Sequence, residues 1–231
     1  KDKIRITPNG IDVDRLANLP GKSEEEKKWI YAGAVLRVTP IKDVKTMIQS
    51  FAFAKKKVPE LKLWIMGPTD EDEKYARECF ELVDMLGVKD VEFTGRVDVR
   101  NYLGKMDFTL LTSISEGQPL TILESYAAHC PVIATDVGNC QELIYGPTDS
   151  FGCAGILTHI MNLEEIAQAM IDLAQNKKMR DSMGEAGYKR VQEFYRIDQM
   201  KAVYKEIYQE FAEKQGQIWS EEPFDLELEQ G

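Results

Sequence analysis

The chain has 231 residues, of which 43% are hydrophobic, and its formal net charge is −10. A chain of this length can bury the core of one large domain, and no apolar run is long enough to span a bilayer. The acidic balance argues against non-specific nucleic-acid binding, because phosphate would be repelled over the whole surface, and it leaves room for a local basic site. The opening KDKIRITPNG lacks the apolar stretch of a secretion signal, and the four cysteines form no CxxC pair, so we expect a cytoplasmic protein with reduced thiols.

Two features precede the first predicted strand. Pro-Asn-Gly at 8–10 is a turn signal, and the charged stretch at 22–28 is expected to be solvated. Residues 1–28 are predicted to lead into the domain, residues 29–196 to form it, and residues 197–231 to form a helix with an acidic extension. The sequence shows no internal repeat that would alter this arrangement.

Short apolar runs alternate along the chain with longer segments of helical periodicity. The predicted strands are 29–33, 61–66, 91–93, 108–111, 132–134 and 155–157. The predicted helices are 44–57, 72–86, 98–104, 119–128, 139–145, 163–175, 177–194 and 197–213. Strands that are apolar almost throughout are typical of a parallel sheet covered on both faces. The alternation predicts an α/β fold with a Rossmann-like, doubly wound parallel sheet.

The segment SEGQPLTILES follows a predicted strand and is expected at the carboxyl edge of the sheet, where open parallel sheets bind ligands. Pro119 suits the first turn of the next helix, and the free amides of Leu120 and Thr121 would form an anion site there. Glu124 lies on the same helix, about 7.5 Å beyond Pro119 at ~1.5 Å per residue. Glu116 and Glu124 are therefore predicted to face one cleft at different depths.

The loop AVLRVTPIKD follows the first predicted strand and carries Arg37 and Lys42 at the same edge of the sheet. Two cations beside a helix N-terminus suit a diphosphate, which arginine binds as a fork and lysine as a point charge. A glutamate near a helix N-terminus can also be a solvated residue that the helix dipole stabilises. The two cations favour a binding site over that alternative.

The pair Arg37 and Lys42 resembles part of the donor site of the retaining family-four glycosyltransferases, whose GT-B fold has two Rossmann-like domains around a cleft. Glu116 and Glu124, separated by seven residues, resemble the rest of that site. The resemblance covers residues 4 to about 213, and the segment PNGID is similar to the start of the family's C-terminal, nucleotide-sugar-binding domain. WIMGPTDED, FTGRVDV and LTSISEGQPLTILES also resemble the Pel exopolysaccharide glycosyltransferase (PelF) group.

The resemblance implies a role for each of the four charged residues. Arg37 and Lys42 would hold the donor diphosphate and stabilise its charge as the glycosidic bond breaks. Glu116 would bind hydroxyls of the donor sugar, which makes Arg37, Lys42 and Glu116 the catalytic set. Glu124 would accept hydrogen bonds from the ribose hydroxyls.

The other contacts that the resemblance implies are made largely by main chain. The amides of Leu120 and Thr121 would contact phosphate, with Gly117 in the same binding set. Main chain at Arg96 and Val97 would lie near the base. The family needs no divalent metal, and the acidic stretch TDEDE is better explained as a helix start than as a metal site. We therefore expect a nucleotide-sugar donor, a UDP-sugar in the first place, and no cofactor.

The resemblance also implies partners for the chain. A GT-B enzyme binds its glycan acceptor largely on an N-terminal domain, and PNGID indicates that this chain begins at the hinge. By itself it is expected to bind donor weakly and to transfer no sugar. A membrane-associated polysaccharide-synthesis complex is a further candidate partner.

The last predicted helix carries an apolar stripe at helical spacing, formed by Met200, Val203, Tyr204, Ile207, Tyr208 and Phe211. In the family this helix packs on the N-terminal domain. Without that domain, the stripe is expected to be partly exposed, to fold onto its own domain or to drive self-association, with help from Trp219 and Phe224.

One residue departs from the family pattern. His129 stands after a predicted helix where the family has glycine, which suits a left-handed residue at the end of a helix. Histidine tolerates that conformation better than most residues do, so we expect the turn to be kept.

Two other functions would use a similar sheet or site. A dinucleotide-dependent oxidoreductase would show GxGxxG between the first strand and its helix, and the chain has AGAVLRV there. A nucleotide-sugar-sensing or scaffolding module of a polysaccharide-synthesis complex would keep the site and catalyse nothing. The sequence leaves that second alternative open.

Overall fold

The computed structural model describes residues 5–16, 18–146 and 148–215. Its strands are β1 Ile30–Val35, β2 Leu61–Met66, β3 Val91–Gly95, β4 Phe108–Leu111, β5 Val132–Thr135 and β6 Gly155–Thr158. Its helices are α1 Val44–Lys55, α2 Glu73–Leu86, α3 Arg100–Leu103, α4 Leu120–Ala127, α5 Cys140–Tyr145, α6 Leu163–Gln175, α7 Lys177–Phe194 and α8 Ile197–Lys214.

Within the described residues, the strands form one six-stranded sheet in the order β3-β2-β1-β4-β5-β6. Every pairing in the sheet is parallel. This is the strand order of a doubly wound sheet, in which the chain starts in the middle and winds outward in both directions. The predicted α/β fold is confirmed.

Local signals explain why most predicted boundaries lie within a few residues of the observed ones. Asp72 caps α2 by accepting a hydrogen bond from the Tyr75 amide at 2.9 Å. Asn162 and Asn176 cap α6 and α7 in the same way. The first strand differs from its prediction, because it extends to Val35 and shortens the loop that follows.

Helices cover both faces of the sheet. One face packs against α1, α2 and α6, and part of the other packs against α4, α5 and α7. The remaining area centres on Tyr31 and Trp64, whose stacked rings lie 4.1 Å apart. The short α3 and part of the N-terminal segment, including Leu16 and Leu19, pack on it. Most of both faces is therefore covered, and the carboxyl edge of the sheet is the place where a ligand is expected.

The charged stretch of the N-terminal segment is not fully solvated as expected. Lys22 pairs with Asp107, at the amino end of β4, and donates to the carbonyl of Trp29 at 2.8 Å. Glu26 accepts from Lys105 at 2.9 Å. The prediction was wrong at Lys22 because Asp107 is itself largely buried, and a buried carboxylate needs a cation nearby. It was wrong at Glu26 because this side chain packs against the protein beside Lys105 and is only 25% exposed.

The turn after α4 keeps the left-handed residue that the sequence predicted. His129 has a φ of 55°. Its amide donates to the Tyr126 carbonyl at 3.0 Å, and its ring stacks on Tyr188 with centroids 3.8 Å apart. The left-handed turn that the sequence predicted is therefore present with histidine at this position.

The apolar stripe of α8 is partly exposed, as the sequence predicted. Tyr204 and Phe211 are 42% and 63% exposed. Contact with α8 also comes from the start of the chain, where Arg5 pairs with Glu210 at 3.1 Å. No helix in the described part of the chain is both long enough and apolar enough to cross a membrane.

Candidate functional site

The strand order reverses between β1 and β4, which pair in the middle of the sheet. The loop after β1 leads to one side of the sheet and the loop after β4 leads to the other, so a crevice opens between them at the carboxyl edge. The first loop carries Arg37 and Lys42, and the second carries Glu116 and Gly117. The topology itself therefore brings together loops that are distant in sequence.

Hydrogen bonds fix these two loops relative to each other. The Ile114 amide donates to the carbonyl of Ile41 at 2.8 Å. The hydroxyl of Thr112, which is buried, lies 2.9 Å from the carbonyl of Lys42 and 3.2 Å from that of Asp43. The backbone around Lys42 is thus held against the loop that carries Glu116 and Gly117.

Lys42 and Glu116 form an ion pair in the crevice. Nζ of Lys42 donates to Oε1 of Glu116 at 2.6 Å, and the side chains are 18% and 13% exposed. A lysine ammonium has three N–H donors, and Lys42 uses one of them on Glu116. The arrangement leaves donors of Lys42 for an anionic ligand while Glu116 holds the ammonium in place.

Arg37 is not part of this ion pair and binds a different carboxylate. Its guanidinium donates to Glu71 at 2.9 Å, and Arg96 pairs with Asp70 at 3.4 Å. Both carboxylates belong to the loop between β2 and α2, in which Asp72 is the predicted helix start. The sequence did not predict that this loop also binds the two arginines through Asp70 and Glu71. Two adjacent carboxylates at the edge that carries both arginines were a usable signal.

Helix α4 begins one residue later than predicted. Pro119 is the N-cap, with a φ of −73° and a ψ of 119°, and the first helical residue is Leu120. The Ile122 amide donates to the Pro119 carbonyl at 3.3 Å, whereas the amides of Leu120 and Thr121 have no acceptor among the described residues. These two amides are therefore available to an anion, as expected of a helix N-terminus.

Glu124 lies in the second turn of α4 and is partly buried. Its carboxylate makes no hydrogen bond or ion pair with any residue that the structure describes, Glu116 included. Burial raises the pKa of Glu124 above its ordinary value. A partly buried carboxylate without a donor is costly, so hydroxyl donors from a ligand would be favourable here.

Two buried polar atoms at this edge also have no hydrogen-bond partner in the described part of the chain. They are Oδ2 of Asp43 and Oγ of Ser113. Asp43 has a left-handed φ of 46° and caps α1 through Oδ1, which accepts from the Thr46 amide at 3.4 Å. Desolvation raises its pKa. The sequence reasoning missed both atoms, because the burial of a loop side chain depends on the tertiary fold.

The loop after β5 packs closely against the backbone of Glu116 and Gly117, which requires glycine at position 138. The Asn139 amide donates to the carbonyl of Gly117 at 2.8 Å. A Cβ atom at Gly138 would lie 2.3 Å from the carbonyl oxygen of Glu116 and 2.4 Å from that of Gly117. Gly117 itself has open space where its Cβ would be, so its exposed side is accessible to a ligand.

A surface pocket of about 410 Å³ lies beside α3. The residues that line it are Trp64, Val97, Asp98, Asn101, Tyr102 and Lys105. Val97 thus borders an open concavity, while the neighbouring Arg96 is turned to Asp70. Among the residues described, no group of three or more His, Cys, Asp or Glu side chains is arranged to hold a metal ion. Metal independence stays a prediction.

Residues 26–176 match the sequence profile of the family described as Glycosyl transferases group 1. The N-acetyl-alpha-D-glucosaminyl L-malate synthase of Bacillus anthracis is 30% identical over 199 residues, which cover 85% of this chain and 49% of the synthase. The chain spans about half or less of the length of the curated relatives that it matches.

Two solved structures show the same fold. Alr3699/HepE of Anabaena, in complex with UDP and glucose, has a TM-score of 0.76 at 18% identity over 89% of this chain and 57% of its own. The C-terminal domain of LpcC, a glycosyl transferase group 1 family protein of Francisella tularensis, has a TM-score of 0.69 at 24% identity. That match covers 81% of this chain and 100% of the LpcC domain. The shared fold is the Rossmann-like half of a GT-B structure.

Proposed function

Since the chain belongs to the group 1 glycosyl transferases, we propose that it is the nucleotide-sugar-binding domain of such an enzyme, with a UDP-sugar as donor. The observation that carries the proposal is the ion pair of Lys42 and Glu116 in the crevice after β1 and β4. It combines an ammonium for phosphate with a carboxylate for sugar hydroxyls. The neighbouring start of α4 supplies two further donors, the amides of Leu120 and Thr121.

In the proposed complex, the donor diphosphate lies between Lys42 and the start of α4. Lys42 and the amides of Leu120 and Thr121 stabilise the charge that develops as the diphosphate leaves. Glu116 accepts hydrogen bonds from the sugar and holds its anomeric carbon in position for the acceptor. Arg37 reaches the diphosphate after it separates from Glu71.

The nucleoside lies further along the same edge. Glu124 accepts hydrogen bonds from the ribose hydroxyls. Its partly buried carboxylate, which has no partner among the described residues, supports this role. The base lies near the main chain of Arg96 and Val97, and the pocket beside α3 leaves space next to Val97.

Isothermal titration of the chain with UDP-sugars, GDP-sugars and ADP-sugars tests this function, because it reports ligand class and base together. We expect saturable binding that is tightest for a uridine nucleotide. Absence of binding by all three classes would contradict the proposed function, and preference for another base would correct the donor.

We expect Glu124→Gln to weaken UDP binding roughly tenfold, since an amide keeps one acceptor but loses the charge that strengthens its hydrogen bonds. The melting temperature should not fall, because no described residue loses a partner and burial already disfavours the ionised carboxyl. Titration calorimetry and a thermal melt check the two statements separately. Wild-type affinity in the variant would remove Glu124 from the proposed site.

We expect Glu71→Gln to strengthen UDP binding about two- to fivefold. The diphosphate and Glu71 compete for Arg37, and an exposed ion pair such as this one contributes only about 0–1 kcal/mol. The control is Glu73→Gln, an exposed carboxylate in the first turn of α2, which should leave affinity unchanged. Weaker binding in Glu71→Gln would show instead that Glu71 holds Arg37 in its binding position.

The finer parts of the proposal concern the whole protein. By resemblance we propose a retaining transfer in the cytoplasm to a growing exopolysaccharide or other glycan, as in the Pel group. In a full-length parent, Glu116→Gln should chiefly impair sugar transfer. A non-catalytic module would be insensitive to that change.

The partner that we propose for this domain is an acceptor-binding N-terminal domain. Three large apolar side chains around the crevice are exposed, those of Ile41, Ile114 and Leu120. Together with the stripe of α8, they offer apolar surface for a second domain or for self-association. Trp219 and Phe224, which were expected to help cover the stripe, lie outside the described residues.

A further inference from the structure

The segment that contains Asn9 contacts the loop between β4 and α4, residues 112–119, which we name the donor loop. The backbone amide of Asn9 donates to Oε1 of Gln118 at 2.6 Å, and Nδ2 of Asn9 donates to the backbone carbonyl of Gln118 at 2.9 Å. The two residues are 109 positions apart in the sequence. Gln118 stands between Gly117 and Pro119, at the point where the donor loop becomes α4.

The same segment is held on its other side by the junction of α7 and α8. The Ile11 amide donates to the carbonyl of Tyr195 at 2.9 Å, and the Ile197 amide donates to the carbonyl of Ile11 at 2.9 Å. A Cβ atom at Gly10 would lie 2.7 Å from the carbonyl oxygen of Arg196, so the close approach requires glycine. Residues 9–11 therefore lie between this junction and the donor loop and contact both.

Among the described residues, three neighbours hold the end of the donor loop, residues 116–118. Lys42 holds Glu116, the Asn139 amide holds the carbonyl of Gly117, and Asn9 holds Gln118. Of these three contacts, that of Asn9 is the one next to the start of α4. It therefore sets where the free amides of that helix lie relative to the Lys42–Glu116 pair.

We propose that Asn9 and Gln118 are positioning residues for the donor site, a role that rests on the proposed function. Their two hydrogen bonds hold the start of α4 in its binding position before the nucleotide arrives, which lowers the cost of ordering the loop on binding. Because both bonds join the same two segments, breaking either one loosens the other.

The test uses the 231-residue chain and UDP as the probe. Asn9→Ala removes Nδ2 and with it the bond to the Gln118 carbonyl. Gln118→Met removes Oε1, which accepts from the Asn9 amide, at nearly constant side-chain length. Each should weaken UDP binding about three- to tenfold, the equivalent of one neutral hydrogen bond. The UDP affinity of the double variant should be at most about twofold lower than that of the single variant with the lower affinity. The reason is that either single change already releases the contact between Asn9 and Gln118. Gln49→Met, on the exposed side of α1, is the matched control and should bind UDP as wild type does.

A second readout separates positioning from general loss of structure. In the chain without nucleotide, the NMR signals of the Leu120 and Thr121 amides should shift in both single variants, while the signals of the α6 core should not. If wild type and both variants bind UDP equally, the positioning role is overturned and the proposed function stands. If wild type itself binds no nucleotide, the proposed function fails and the positioning role fails with it. Unshifted amides beside weakened binding would also overturn the positioning role.

Discussion

Lys42→Ala is expected to lower the affinity of the chain for UDP by roughly 10- to 100-fold. A hydrogen bond to a charged group contributes about 1.5–3 kcal/mol, and each 1.4 kcal/mol is a tenfold change. The loss has a second source, because Glu116 is only 13% exposed and would be left as an unpaired negative charge beside the diphosphate. Titration calorimetry on the folded variant measures the effect.

Two further variants separate binding from stability. Lys45→Ala removes a lysine three positions away that pairs with Glu78, and it should leave UDP affinity unchanged. Lys42→Ala combined with Glu116→Gln should be more stable to unfolding than Lys42→Ala, because no unpaired carboxylate remains. Its affinity for UDP should stay as low as that of Lys42→Ala. Full UDP affinity in Lys42→Ala would show that the diphosphate lies elsewhere.

Arg190→Met is expected to destabilise the domain by about 3–5 kcal/mol, because it leaves a buried charge without its partner. The side chains of Arg190 and Asp149 are 0% and 2% exposed. Arg190 donates to both oxygens of Asp149, at 2.7 and 2.8 Å. It also donates to the carbonyls of Leu143, Ile144 and Gly152. This single side chain therefore ties the end of α5 to the loop before β6.

The pH dependence of this loss has a definite sign. The hydrogen bonds from Arg190 lower the pKa of Asp149 below its ordinary value of 3.8. The stability that Asp149 contributes is therefore present above that value and is lost as the pH falls through the lowered pKa. In Arg190→Met the unpaired carboxyl would bind a proton more readily, so the difference between wild type and variant should shrink on acidification.

Urea unfolding of wild type and variant at neutral and acidic pH measures both effects. Arg100→Met serves as the control, since Arg100 pairs with Asp98 in an exposed position, and it should cost within about 0.5 kcal/mol. A loss below about 1 kcal/mol in Arg190→Met at neutral pH would show that apolar packing holds the loop without this network.

Most of the fold was predictable from the sequence because its signals are local. Capping residues such as Asp72 and Asn162 mark helix starts, and continuous apolar runs mark strands that are covered on both faces. The position of the candidate site was predictable for the same reason. Arg37, Lys42, Glu116 and Glu124 lie on loops or helix starts that follow strands, and all parallel strands end at one edge.

Which of these charged groups meet was decided by the tertiary structure alone. Lys42 pairs with Glu116 across 74 positions, Arg37 pairs with Glu71 across 34, and Glu124 has no partner in the described part of the chain. Several cations and carboxylates share one edge of the sheet. The sequence predicts that they lie at this edge, but it does not predict the distances between them. Those distances follow from strand order and from how closely the loops pack, which depend on contacts between residues far apart in the chain.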